Sequence, residues 1–352
     1  MIAIVAFMSG CNAPIQPTPS AVPASAAVPT STPGGSTPSG NGSGGSGSIV
    51  YIVQSNVWLA ATDGSSPRQL TTDGSDAQGY RDPSQADDGT IFVLKGERAL
   101  YRLDRSGAAL TPPVTLPTLE NGAEGLAASP DGTRVAYATV GSGTYIDPRF
   151  GTPSGTFLYG GTDVANLDGT SIPGAVLPSL IFPSWRDDLH LVVSDGVDLY
   201  MDEVGPAAPQ AWLSLTEGCI TDFDCPPGQE AAANISTPTV SRDGRLLAYE
   251  YKPYFGPAGR RLATSTAAPP VTPQTRCVMP GQENHSDPGT FSGDTALFVY
   301  DDTRFDPEAF ETVVGQGIWS MTVDLDADDC GASSARLIVP GGSQPDWGAT
   351  AP

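Results

Sequence analysis

The feature that most restricts how this chain can fold is a turn that keeps coming back. QADDGTIFVL from Gln85, SPDGTRVAYA from Ser129, WRDDLHLVVS from Trp185, SRDGRLLAYE from Ser241 and FSGDTALFVY from Phe291 each set a tight Asp/Gly turn before an alternating apolar run. Their starts lie 44, 56, 56 and 50 residues apart. Asp and Gly favour sharp reversals, so each copy predicts a polar strand that turns back into a half-buried one.

A second element recurs downstream: VWLAATDG from Val57, LYRLDRSG from Leu100, LYMDEVG from Leu199 and IWSMTVDLDAD from Ile318. It predicts a third strand with an aromatic in register, closed by another polar turn. Trp58, Tyr101, Tyr200 and Trp319 occupy that aromatic position, and packing between neighbouring units accounts for them. Short fourth strands follow at Arg68, Arg276 and Arg336. Four antiparallel strands per unit of this length are the pattern of a β-propeller blade. A load of 41 Gly and 34 Pro suits the many turns this requires.

Five copies of the turn account for five blades. The chain also begins with strands two to four of a unit, SIVYIV, NVWLAATDG and PRQLT, and ends in SQPDWGATAP, a first strand without the rest. Joining the two ends predicts a sixth blade and a closed ring without open sheet edges. The expected fold is therefore all-β: a six-bladed propeller of four-stranded antiparallel blades over residues 48–352, with Asp346 and Trp347 pairing against Ile49–Val53.

NVWLAATDGSSPRQLT, ASPDGTRVAYAT and the terminal PDW resemble the repeats of the TolB-type, WD-like β-propeller family, over roughly residues 48–348. The likeness does not extend to the N-terminal α/β domain of TolB, so the partners of TolB are not carried over.

Ahead of the repeats, MIAIVAFMSGC is similar to the signal and lipobox of bacterial lipoproteins, an apolar run ending in small residues before Cys11. That resemblance implies that Cys11 becomes a lipidated N-terminus. It also implies an exported protein, anchored on the outer side of the bacterial cytoplasmic membrane or at the cell surface. The run is too short to span a bilayer. The first basic residue is Arg68, so the usual basic n-region is missing: either the translation start lies upstream of Met1 or the segment is a poor signal, and the tether-like tract that follows favours the first. Residues 12–47 are a Pro/Ser/Gly-rich tract that buries too little apolar surface to offset its ordering entropy, and they are expected to act as a disordered tether.

Seventeen basic against 39 acidic residues, a net charge of -22, exclude nucleic acid and direct binding of anionic membrane surfaces, because both need a positive footprint. In a propeller, the turns between strands one and two and between three and four lie on one face, and here they are short. The strand two–three connections and those between blades lie on the other face, and most of the long segments belong to it: residues 73–82, 140–155, 216–236, 251–259 and 301–317. Long irregular segments of compact domains tend to carry function. The binding-face candidates are Tyr80, Arg81, Tyr145, Arg149, Phe150, Tyr254, Phe255, Arg304, Phe305 and Phe310, since aromatics and arginine are enriched at recognition surfaces. The plain alternative for each ring is that it anchors its own loop.

Apart from Cys11 there are four cysteines, an even number in a chain with export features. Three pairings are possible. Cys219 and Cys225 share one loop, while Cys277 begins a fourth strand and Cys330 sits in the strand three–four turn of the next blade. The expected disulfides are Cys219–Cys225 and Cys277–Cys330.

No metal site is expected. Asp324, Asp326 and Asp328 alternate, but an EF-hand loop needs Gly at its sixth position and Glu at its twelfth, where Asp329 and Ala335 stand. The two histidines, His190 and His285, lie in no ligand spacing, and no GxSxG elbow, sialidase Asp box or phosphate loop occurs. The residues assign no catalytic group and no cofactor. The expectation is a non-catalytic binding or scaffolding module for a protein, peptide or envelope glycan. The alternative is a propeller hydrolase or lactonase with a metal at the central channel.

Overall fold

The structure, a computed structural model, describes residues 47–118, 122–147, 152–214, 216–217, 231–232, 234–252, 259–265, 269–280, 289–293, 295–305 and 313–352. The chain divides into two compact units, Gly45–Gly143 with Leu158–Pro352, and Met1–Gly44 with Thr144–Phe157. In the second, the described residues are Thr144–Asp147 and Thr152–Phe157, which belong to two paired strands.

The chain opens with β1 (Ser48–Val53), β2 (Asn56–Ala61) and β3 (Arg68–Gln69). Blade two is β4 (Tyr80–Gln85), β5 (Ile91–Lys95), β6 (Ala99–Leu103) and β7 (Val114–Thr115). Blade three is β8 (Ala123–Ala128), β9 (Arg134–Asp147), β10 (Thr152–Asn166) and β11 (Leu177–Pro178). Blade four is β12 (Ile181–Trp185), β13 (His190–Ser194), β14 (Asp198–Glu203) and β15 (Gln210–Ser214). A short pair, β16 (Thr216–Glu217) and β17 (Ala231–Ala232), precedes blade five, which is β18 (Asn234–Val240), β19 (Leu246–Lys252), β20 (Gly259–Thr264) and β21 (Gln274–Pro280). Blade six is β22 (Thr290–Phe291), β23 (Leu297–Phe305), β24 (Val313–Thr322) and β25 (Arg336–Pro340).

The last strand, β26 (Ser343–Gly348), pairs antiparallel with β1, with Trp347 opposite Ile49 and Asp346 opposite Val50. It is the innermost strand of blade one, whose order is β26-β1-β2-β3. The ring therefore has six blades and closes through the two ends of the chain.

Strand alternation explains why the blades stack. In β5, Ile91 and Val93 join Val50, Val57 and Leu59 of blade one, while Phe92 and Leu94 face Leu126, Val135 and Tyr137 of blade three. The same division recurs at the other junctions, so the second strand of each blade is apolar on both faces and a series of small cores replaces one large one. Burying each such side chain contributes about 1.5–3 kcal/mol. The aromatic ring positions Trp58, Tyr101, Tyr200 and Trp319 pack half-buried against the outer parts of these cores.

The recurring Asp/Gly turn works as its residues demand. Gly132 takes φ +67° and donates to the Ser129 carbonyl at 2.9 Å, while the Asp131 carboxylate accepts from the Thr133 amide at 3.0 Å. Asp88, Asp187 and Asp243 accept equivalent bonds. Two segments expected as long loops are mostly strand: β9 and β10 run through most of 140–155, and β23 and β24 through most of 301–317. Pairing along a long hairpin satisfies the backbone there whatever the Gly and Asp side chains prefer.

Candidate functional site

Five of the six innermost strands share a kink. Between Arg81 and Ser84, Glu124 and Ala127, Ile181 and Ser184, and Ser236 and Thr239, the register with the second strand shifts by a bulge. At each bulge one residue has positive φ: Asp82 (49°), Gly125 (59°), Phe182 (58°) and Thr237 (46°), with Gln344 (53°) at the matching place in β26. A non-glycine residue there costs roughly 1–2 kcal/mol. The next residue is proline in four of these five strands, Pro83, Pro183, Pro238 and Pro345, and a proline has no N–H to lose from an interrupted ladder.

The position after that proline, and Thr290 in blade six, link the blades. The Asp346 carboxylate accepts from the Gln85 amide at 2.7 Å, the Ser84 hydroxyl from the Ala128 amide at 3.0 Å, the Ser184 hydroxyl from the Val240 amide at 3.2 Å, and the Thr290 hydroxyl from the Trp347 amide at 3.2 Å. At the other two junctions, the Trp185 indole donates to the Ala127 carbonyl at 3.0 Å, and the Thr239 hydroxyl donates to the Gly289 carbonyl at 3.0 Å. Hydrogen bonds thus run from blade to blade around the whole axis.

Inside this ring lies a cavity of about 740 Å³, lined by the innermost strands of all six blades together with residues 76–79 and the Gly96–Glu97 turn. Those two segments belong to an inter-blade connection and a strand two–three turn, so the mouth opens on the face that carries the longer connections. At the opposite end stands Arg242, from the strand one–two turn of blade five. It crosses the axis to donate to the Gln85 carbonyl of blade two at 2.6 Å and approaches Asp87 at 3.4 Å. Arg242 thereby forms the floor of a funnel.

One side of the funnel wall is acidic. Arg81 donates to the carbonyls of Gly96 and Glu97, each at 3.0 Å, and pairs with Asp82 at 2.9 Å. The Gln344 amide bridges the same residue, donating to the Asp82 carboxylate at 3.1 Å and accepting from its backbone amide at 2.9 Å. Burial pushes the Asp82 carboxyl up, Arg81 opposes that shift, and the charge of Glu124 reinforces it. Desolvation raises Asp346 as well, against the pull of Arg242 and the hydrogen bonds from Gln85 and Ser84.

The structure places the sequence candidates unevenly. Tyr80 and Arg81 line the funnel. They open strand β4 instead of sitting in a loop, and Tyr80 is only 5% exposed, its hydroxyl donating to Asp73 at 3.0 Å and Lys95 lying over its ring. Tyr145 falls in β9, and Arg304 and Phe305 fall in β23, opposite Gly315 and Val313. Cys11, Arg149, Phe150, Cys219, Cys225, Tyr254, Phe255, His285 and Phe310 lie outside the described residues. Cys277 and Cys330 form a disulfide between blades five and six with a Cα–Cα distance of 5.2 Å. His190 binds Asp187 through Nδ1 at 2.8 Å within a turn, and the Asp324 carboxylate accepts from the Asp326 amide at 3.0 Å within another.

Asp82, Phe182, Thr237, Gln344 and Arg242 are funnel residues that the sequence reasoning above does not single out. A signal exists for them: DPS, FPS, TPT and QPD stand a few residues ahead of the repeated turn, or in its place at the C-terminus.

Six four-stranded blades around a central cavity define a six-bladed β-propeller, and solved structures resemble it. TolB from Acinetobacter baumannii matches with a TM-score of 0.54 and 14% identity over 86% of this chain and 66% of that one. This chain thus spans just under two thirds of that structure. A TolB described as putative from Agrobacterium tumefaciens matches at 0.48 and 14%, covering 85% and 91% of the two chains. Oligogalacturonate lyase from Vibrio parahaemolyticus matches at 0.48 and 15%, covering 80% and 70%. No protein-family model and no curated protein matches the chain. The fold is that of the TolB-type propeller.

Proposed function

We propose that the chain is an exported, lipid-anchored binding module that takes its ligand in the mouth of the central funnel. The observation that carries this reading is the set of kinked inner strands. Four non-glycine residues, Asp82, Phe182, Thr237 and Gln344, are held at positive φ at one level of the funnel, and strain of that kind collects at ligand sites. The groups around them support binding rather than chemistry. The Ser84 and Thr290 hydroxyls that meet Asp346 are already engaged by backbone amides of adjacent blades, and Arg81 and Arg242 are held by carbonyls and carboxylates of the wall.

Export is supported by the Cys277–Cys330 disulfide, a bond that persists in oxidising compartments. Anchoring is supported by the small residues that precede Cys11, and Cys11→Ala should move the protein from the membrane to the soluble fraction. The binding reading is tested by photo-crosslinking. A photoreactive phenylalanine at position 182 should capture a ligand in the intact envelope, whereas one at Leu189, exposed on a strand one–two turn, should not. Capture only at position 189, or at neither position, contradicts the reading.

A further inference from the structure

We infer that the junction of blades three and four is a proton-controlled seam, closed while the Asp202 carboxyl is neutral and loosened when it ionises, and that its state reaches the funnel wall through Trp185. The inference does not depend on what the funnel binds. It starts from a row of neighbouring residues that recurs across strands one, two and three. The row is Gln85, Ile91 and Leu103 in blade two, and Trp347, Ile49 and Ala60 in blade one. It is Val240, Leu247 and Ala263 in blade five, and Phe291, Phe298 and Met321 in blade six. Its third residue is apolar in all four and packs against the preceding blade. In blade four the row is Trp185, Leu191 and Asp202.

Asp202 therefore holds the place that faces blade three, where Trp185 and Leu191 meet Ala136, Val164 and Ala175. It is wholly buried, and neither carboxylate oxygen has a hydrogen-bond partner among the described residues. A charge in such a place is uncompensated, so the neutral form fits the closed junction and the ionised form calls for water. Desolvation accordingly raises the carboxyl, the Glu203 charge on the same strand adds to that, and His190 of β13 opposes it. Other charged groups of this region are engaged. His190 is held by Asp187, Arg134 of blade three donates to the Asp188 carbonyl and lies over the Trp185 ring, the Asp131 carboxylate accepts from Ser129 and Thr133, and Arg186 lies over Trp212.

The same row carries the effect inward. Trp185 lines the cavity, and its indole donates to the Ala127 carbonyl of blade three at 3.0 Å. Water admitted to an ionised Asp202 separates the two faces that this bond joins. The closed seam is favoured fully below the ordinary carboxyl pKa of 3.8 and loses that support as pH rises through about 6. The seam is thus tight in acid and loose above neutrality.

The test is a pH titration of the tryptophan indole N–H resonances of the full chain by proton–nitrogen NMR. The Trp185 indole should shift towards the position of a free indole with a midpoint near pH 6, while the Trp347 indole, bound to Thr62 at another junction, stays in place. Asp202→Asn should hold the Trp185 resonance at its acid position throughout. Asp202→Leu, which restores the residue type of the row, should do the same and serves if the amide packs badly. His190→Gln should keep the transition and move its midpoint up, because His190 favours the charged carboxyl. A Trp185 resonance without a transition overturns the inference, as does a transition that survives Asp202→Asn or disappears in His190→Gln. An equal shift of the Trp347 indole also overturns it, since the response would then belong to the whole fold and not to one seam.

Discussion

Arg242 in blade five donates to the Gln85 carbonyl in blade two, three blades away around the ring, at 2.6 Å. A single side chain therefore ties opposite sides of the propeller together and sets where the funnel ends. Arg242 also lies near the Asp346 carboxyl and holds it down against the desolvation that raises it. Arg242→Met keeps most of the volume but removes the bond and the charge. It should lower stability by about 1–3 kcal/mol, read as an earlier midpoint in urea with an unchanged slope.

Ring closure depends on the last strand. Trp347 is 4% exposed, its amide donates to Thr290 of blade six, and its indole donates to Thr62 of blade one at 3.3 Å. Trp347→Ala should cost about 3–5 kcal/mol. Deleting residues 343–352 should abolish cooperative unfolding, because it removes an innermost strand and opens an apolar edge at β1. A truncated protein that melts as cooperatively as the full chain would contradict the closure.

Asp202, in β14, is wholly buried, and neither of its carboxylate oxygens has a hydrogen-bond partner among the described residues. Desolvation raises its pKa from 3.8 to about 6, with the neighbouring Glu203 charge adding to the shift and His190 opposing it. A carboxyl with a raised folded-state pKa favours the folded state only while protonated. Its contribution is full below about pH 4 and is lost as pH climbs through 6. Asp202→Asn should therefore match the parent near pH 4 and exceed it by about 1–3 kcal/mol above pH 7. Equal stability at both pH values would show the carboxyl to be solvated or paired.

The Cys277–Cys330 bond closes a loop of 53 residues across the junction of blades five and six. A loop of that length should stabilise the fold by about 4 kcal/mol through the unfolded chain. Replacing both cysteines by serine should lower the thermal midpoint under oxidising conditions. A reducing agent should lower the midpoint of the parent by at least as much, and that of the variant, which keeps Cys219 and Cys225, by less.

The blades were legible because their signal is local. An Asp/Gly turn between a polar and an alternating strand needs no distant partner, and the partial units at both ends showed how the ring closes. The funnel was harder to see. Asp82, Phe182, Thr237 and Gln344 differ in chemistry, and only their shared backbone angle and the prolines after them mark one position. Arg242 stands in a turn like the others, and nothing in SRDG says that its side chain crosses the axis. VGSGTY lies within a long strand because a partner pairs beside it, and nothing local in the sequence marks that partner.

The most direct test of the account is hydrogen exchange on the full chain, with and without the ligand captured at position 182. The account predicts that added protection falls on β4, β8, β12 and β18, the strands that carry Asp82, Gly125, Phe182 and Thr237, and spares the strand one–two turns at Asp131 and Asp187. Protection confined to those turns, or spread over the outer strands with the inner ones unchanged, would mean that the funnel is not where the ligand binds.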